Sequence, residues 1–193
     1  MHPLQPADLL SLEAYARERN AFRTRVIAHK KLRKLHVGGH VTLLFEDRLT
    51  IQYQIQEILR TERIFEPDGI AEELEAYNPL IPDGCNLKAT MLIEYEDAEE
   101  RQRELARLRS VEQHVQLVVA GHPPVTAIAD EDLPRSNEQK TAAVHFLRFE
   151  FDPGAIVDFR HGAEVMARIE HPAYRAEQRL DAQQRAALAA DFD

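Results

Sequence analysis

A chain of 193 residues, 44% hydrophobic and 30% charged, is composed like a globular protein and is long enough to bury a substantial core. Acidic residues outnumber basic ones, 33 to 24, and the formal net charge of -9 speaks against a general nucleic-acid binder and against docking on an anionic membrane. The single cysteine, Cys85, excludes an intrachain disulfide and a thiolate zinc ribbon.

The opening MHPLQPADLL has no basic segment followed by an apolar core, so no signal peptide is expected. No apolar run approaches the ~18 residues of a membrane span, and a cytoplasmic location is the expectation. Ser11 or Asp8 can cap a helix that runs to about Lys34. Leu12, Tyr15, Phe22 and Val26 fall on one stripe, with Arg19 and Arg33 along it and His29 beside it. Two readings of these arginines are open. Their stems cover the core edge while the charges reach solvent, or one reaches inward to a buried carboxylate. The basic run His29-Lys30-Lys31-Leu32-Arg33-Lys34 is explained by a solvated helix face more simply than by a nucleic-acid footprint.

Gly38-Gly39 ends the helix, and Val41, Leu43 and Phe45 alternate with Thr42, Leu44 and Glu46 as a half-buried strand. Asp47 caps a helix over about 48–65. Ile51, Ile55, Ile58, Leu59 and Phe65 form its apolar face; Gln52, Gln56, Arg60 and Arg63 form the polar one. Glu62 projects between Ile51 and Ile55, and Glu57 lies on a flank beside Tyr53 and Ile64. A lone carboxylate on an apolar face must pair, shift its pKa or escape to solvent. The helix turns near Glu62, or Glu62 pairs with Arg19 or Arg33, or it is an acid or a metal ligand.

Pro67-Asp68-Gly69 breaks the chain before a short helix with Ile70, Leu74 and Tyr77 as its apolar contacts, which Asn78-Pro79 stops. Leu87, Ala89, Met91, Ile93 and Tyr95 mark a strand, and Asp97 with Glu100 has capping-box spacing for a helix over 98–110. HVQLVVA and VTAIA flank Gly121-His122-Pro123-Pro124 as a hairpin, and 130–140 reads as a polar surface loop. Within the strand 142–151, Ala143, His145, Leu147, Phe149 and Phe151 share a face, so His145 is the histidine expected to be buried. Such a histidine is more often a hydrogen-bonded core residue than a ligand. A short helix or turn follows through Phe159, then a strand over 164–170. Asp181 caps a last helix with Leu180, Ala187, Leu188 and Phe192 as contacts. The pattern predicts a single α+β domain over 1–193, helix-rich over 1–112 and strand-rich over 113–193. Its antiparallel-rich mixed sheet is packed by the long N-terminal and central helices.

The motifs GxxxxGKS/T, GxGxxG, GxSxG and HExxH are absent. Cys85 lies in a turn with no base fixed beside it by sequence. His36 and His40 flank a Gly-Gly turn and do not share a helix, which speaks against a metal pair. The candidate site is therefore Glu57 and Glu62 of the central helix and Glu46 at the strand end, with His145, Arg19 and Arg33 as partners. Glu57, Glu62 and His145 would suit a hard or borderline metal; the same set serves equally as a buried polar knot.

FEDRLTIQYQIQEILRTERI at 45–64, IAEELEAYNPLIP at 70–82, KTAAVHFLRFEF at 140–151 and EHPAYRAE at 170–177 together resemble the bacterial family catalogued as domain of unknown function 3501. The resemblance implies a cytoplasmic domain whose gene neighbours include rubrerythrin-like and iron-sulfur proteins, and hence a link to redox or peroxide-related metabolism. It transfers no catalytic residue and no cofactor. The first expectation is an accessory or binding protein working with a redox or iron-sulfur partner. The alternative is a metal-dependent or carboxylate-based enzyme built on Glu57, Glu62 and His145. RNA binding through 28–36 ranks last.

Overall fold

The computed structural model describes residues 2–131, 135–136 and 139–192. Over these residues the chain has the expected α+β class, with all strand pairs antiparallel and divided between two sheets. Ser11 caps α1 (Leu12–Lys31), accepting from the Ala14 amide, and Tyr15, Phe22 and Val26 are its buried stripe. The helix ends three residues before Lys34 because Lys34–Val37 is a strand, β1, paired with β2 (Val41–Glu46). Gly38 turns that hairpin at φ +76; a Cβ there would lie 2.5 Å from the Tyr174 hydroxyl and 2.9 Å from Ala176 Cβ, a position only glycine fills.

Asp47 and Thr50 cap α2 (Arg48–Glu62) reciprocally. Ile51, Ile55 and Leu59 are buried as expected, but the helix stops at Glu62, where Arg63 takes left-handed backbone. Phe65 therefore leaves the apolar face and is 67% exposed. Gln56, placed on the polar face by its spacing, is fully buried, because Leu10 crosses it and exchanges two hydrogen bonds with its amide. Pro67 opens α3 (Pro67–Tyr77) at a position whose amide has no helical partner. The expected break is thus a first helical turn.

β3 (Asn86–Ile93) pairs with β2, and α4 (Ala98–Arg107) is capped by Asp97. β4 (Val115–Val119) forms the expected hairpin with β5 (Val125–Thr126). Two residues later the chain crosses to the other sheet as β6 (Ile128–Ala129), beside β7 (Val144–Glu150). Of the predicted loop, residues 132–134, 137 and 138 lie outside the described residues. Asp152 caps α5 (Pro153–Arg160) in spite of Gly154. β8 (Val165–His171) turns back into β9 (Tyr174–Arg179), a strand the sequence pattern did not announce, and Asp181 caps α6 (Ala182–Ala189).

The strand orders are β1-β2-β3-β7-β6 and β5-β4-β8-β9. Residues 125–129 switch sheets at one corner; at the other, the Tyr174 hydroxyl donates to the Val37 carbonyl at 2.7 Å. The two sheets thus enclose one core, with Phe45, Met91, Leu117, Phe149 and Ile169 among its members. Glu46, on the opposite side of β2 from Phe45, bonds Thr50 and Gln54, which seats α2 on the outer face of the five-stranded sheet. Among the described residues no helix is long and apolar enough to cross a membrane.

Candidate functional site

The residues singled out by sequence do not converge. Glu57 is half-buried and held by a bidentate pair with Arg19, Nε to Oε1 at 2.8 Å and Nη2 to Oε2 at 2.6 Å, and by the Tyr15 hydroxyl. The Arg19 hydrogen bonds keep the Glu57 carboxyl below its usual range, whereas burial, reinforced by Glu57, pushes the Tyr15 phenol well up. Glu62 ends α2 and is exposed. It meets neither Arg19 nor Arg33: it closes the last turn of α2, where its neighbours are Glu73 and Tyr77 of α3. Glu46 is 2% exposed and accepts from Thr50 Oγ1 at 2.6 Å, Thr90 Oγ1 at 2.7 Å and Gln54 Nε2 at 3.2 Å.

Arg33 follows the inward reading. It is buried, pairs with Asp191 and donates to three backbone carbonyls. Burial raises the Asp191 carboxyl to about 6, against the lowering pull of Arg33. A joint site of Glu57, Glu62 and His145 is thereby corrected: the first is tied to α1, the second is in solvent, and the third has other partners.

His145 lies on the inward face of β7 with Leu147 and Phe149 and is fully buried. Its Nδ1 is 2.6 Å from Asp130 Oδ2; its Nε2 is 2.8 Å from Thr141 Oγ1 and 3.0 Å from the Ala142 carbonyl. Asp130 follows β6 in left-handed backbone (φ 50), which aspartate tolerates better than most residues. Its second oxygen accepts from the Phe146 amide at 3.0 Å, which prolongs the β6–β7 pairing. Glu112 comes from the single 3-10 turn ahead of β4 and is buried. It accepts from Ser136 Oγ at 2.8 Å and Thr141 Oγ1 at 3.2 Å, and its Oε2 is 3.9 Å from His145 Nε2. The two hydroxyls are 2.8 Å apart.

One donor atom each from Glu112, Asp130 and His145 lies within 4.8 Å of the other two. A cavity of about 420 Å³ opens on this group, lined by Glu112, Gln113, Ala129, Asp130, Arg135 and Ser136. The carboxylates thus reach the cavity wall, while the imidazole is sealed behind them. A shared ion would take the place of the direct Asp130–His145 hydrogen bond, each of the three side chains giving it one atom. Two carboxylates and an imidazole suit a borderline divalent ion such as manganese, iron(II) or zinc. Sequence reasoning reached His145 through strand alternation. Glu112, Asp130, Ser136 and Thr141 have no motif spacing to announce them; the one local hint is Asp130, the first polar residue after VTAIA.

A family model described as "Protein of unknown function (DUF3501)" matches residues 3–192. No curated protein matches the chain. Among solved structures, the chain is similar to a crystal structure described as a novel protein of unknown function from Burkholderia pseudomallei K96243. The identity is 50% over 100% of both chains, with a TM-score of 0.94.

Proposed function

The chain belongs to the family described as "Protein of unknown function (DUF3501)", and we propose that it is a metal-dependent protein that holds a divalent cation through Glu112, Asp130 and His145. The observation that carries this reading is the convergence of three ligand-bearing side chains from three separate segments within 4.8 Å, at the wall of a cavity. Arg135, 3.5 Å from Asp130, offsets part of the cost of withdrawing two carboxylates from water, and a bound cation would offset the rest. A bound divalent ion supplies Lewis acidity and an activated water; Ser136 and the cavity beyond it give room for a substrate. This is the enzyme alternative expected from sequence, moved from Glu57 and Glu62 to Glu112 and Asp130.

The test is metal stoichiometry and thermal stability. The protein is stripped with chelator and reloaded separately with manganese, iron(II), zinc and magnesium. About one ion per chain, with a rise in melting temperature, is expected from at least one of the first three. Asp130→Asn and Glu112→Gln, which keep their shape, abolish both. Substoichiometric metal with no rise in melting temperature would sink the reading. The link to a redox or iron-sulfur partner is a separate proposal, supported by the family resemblance. It is tested by recovery of such proteins with the tagged chain from its native host.

A further inference from the structure

A second cavity lies on the opposite side of the five-stranded sheet from its core. It measures about 300 Å³ and sits between the end of α3 and the outer face of β3 and β7. Tyr77, Pro79 and Leu80 form one wall; Lys88, Phe146 and Arg148 form the sheet side. The volume is at the lower end of the range for small-molecule pockets.

Its charge runs against that of the whole chain. Lys88, Arg135 and Arg148 line it against the single carboxylate of Glu131, in a protein of net charge -9. The three cations are not equivalent. Arg148 is occupied: it makes two parallel 2.8 Å hydrogen bonds to Glu131 and pairs again with Glu150. Arg135 lies 4.5 Å over the Phe146 ring and 3.5 Å from Asp130. Lys88 is half-buried and donates to the Pro79 carbonyl, while the carboxylates near it, Asp83, Glu131 and Glu150, act on it through space without a hydrogen bond. An ammonium has three donors, so Lys88 retains capacity for an acceptor that the fold does not supply. Burial lowers its pKa from the usual amine value; Asp83, Glu131 and Glu150 oppose this, and Arg148, directly across the ladder, adds to it. Anionic company would relieve that penalty.

We propose that this cavity is a binding site for a small organic acid, its carboxylate on Lys88 and its apolar body between Tyr77, Leu80 and Phe146. The site shares Arg135 with the cavity at the Glu112–Asp130–His145 cluster, but its carboxylate contact is to Lys88 and does not depend on a metal there.

Calorimetric titration of the full chain with 4-phenylbutyrate and with octanoate tests it, using 4-phenylbutyramide and octanamide as neutral twins. At least one acid is expected to bind with a submillimolar Kd, and its amide about tenfold more weakly, which is the loss of roughly one charge-assisted contact. Lys88→Gln, which removes the charge and keeps a polar side chain, weakens the acid about tenfold and leaves the amide unchanged. Phe146→Ala weakens acid and amide alike. Neither acid binding at millimolar concentration, acid and amide binding equally, or full affinity in Lys88→Gln would each overturn the proposal.

Discussion

Replacing Arg33 by methionine removes a guanidinium and keeps an apolar stem of similar length. The side chain is 2% exposed, just beyond the end of α1. Its Nε donates to the Phe45 carbonyl at 3.0 Å, Nη2 to the Glu46 carbonyl at 3.1 Å and Nη1 to the Ala187 carbonyl at 3.1 Å. It also pairs with Asp191 and lies 3.5 Å from Asp47. Methionine removes the donor from two buried carbonyls and one partly buried one and leaves Asp191 without its cation, although one Asp191 oxygen already has no hydrogen-bond partner. Breaking a buried pair from one side costs about 3–5 kcal/mol. Proton uptake by Asp191 recovers part of that, so a loss of about 3 kcal/mol is expected. Urea denaturation followed by circular dichroism at neutral pH measures it, provided the slope with denaturant is unchanged. The same exchange at Arg19, on the same stripe, should cost clearly less. Its pair with Glu57 is 29% and 25% exposed, and solvent screens it. A loss at Arg33 below about 1 kcal/mol, the ceiling for surface pairs, would refute the view that this arginine locks the C-terminal segment.

Asp191 gives a pH signature. With its carboxyl raised to about 6 in the fold from 3.8, the folded state binds the proton more tightly. That stabilisation is complete below pH 3.8 and is lost as pH rises through 6. The upper bound is about 3 kcal/mol; melting curves across this window should show the decline in the native chain and not in Asp191→Asn. Gly38→Ala should destabilise by about 2 kcal/mol or more, since it combines positive φ with a clash against Tyr174 and Ala176, and a fall in melting temperature checks it. Glu62→Gln should change stability by no more than about 0.5 kcal/mol and leave metal binding intact, as for any exposed surface position.

Much of the fold was legible because its signals are local. Ser11, Asp47, Asp97 and Asp181 each read as a helix cap, and each accepts from an amide of the first turn. Strand alternation placed Phe45, Met91 and Phe149 in the core. What failed depends on distant partners. KLHV is short and follows a helix without a break, so β1 shows only through its pairing with β2. YRAEQR is mostly exposed and carries little apolar alternation, so β9 shows only through β8. Of the alternatives open for Glu62, the turn of the helix is the one observed: Arg63 ends α2 in left-handed backbone without the usual glycine, a stop that the apolar period to Phe65 does not show. Gln56 was misplaced because the segment that buries it is 46 residues away. Glu112, Asp130 and His145 are separated by 18 and 15 residues across three elements, and no period joins them.

The buried polar groups divide by what they hold. Arg33 ties residues 158 apart, and Asn78 bonds Leu4 across 74 residues; each closes a segment that has little apolar surface to fix it. Glu46 anchors α2 to the sheet with three neutral donors and faces no cavity among the described ones. The His145 cluster differs. One oxygen of Asp130 does structural service for the Phe146 amide, but Glu112 and Ser136 add a second carboxylate and a hydroxyl at a cavity wall, with the buried Thr141 hydroxyl behind them. Arg135 compensates Asp130 in part at 3.5 Å, so a knot that only fixed the fold would need neither the opening nor the second negative charge of Glu112, whose burial is costly. The two roles separate at Asp130. Asparagine there can still accept from Phe146 through its carbonyl oxygen while the charge is gone. An Asp130→Asn chain that folds but no longer takes up metal assigns the charge to the ion; one that unfolds assigns it to the hairpin.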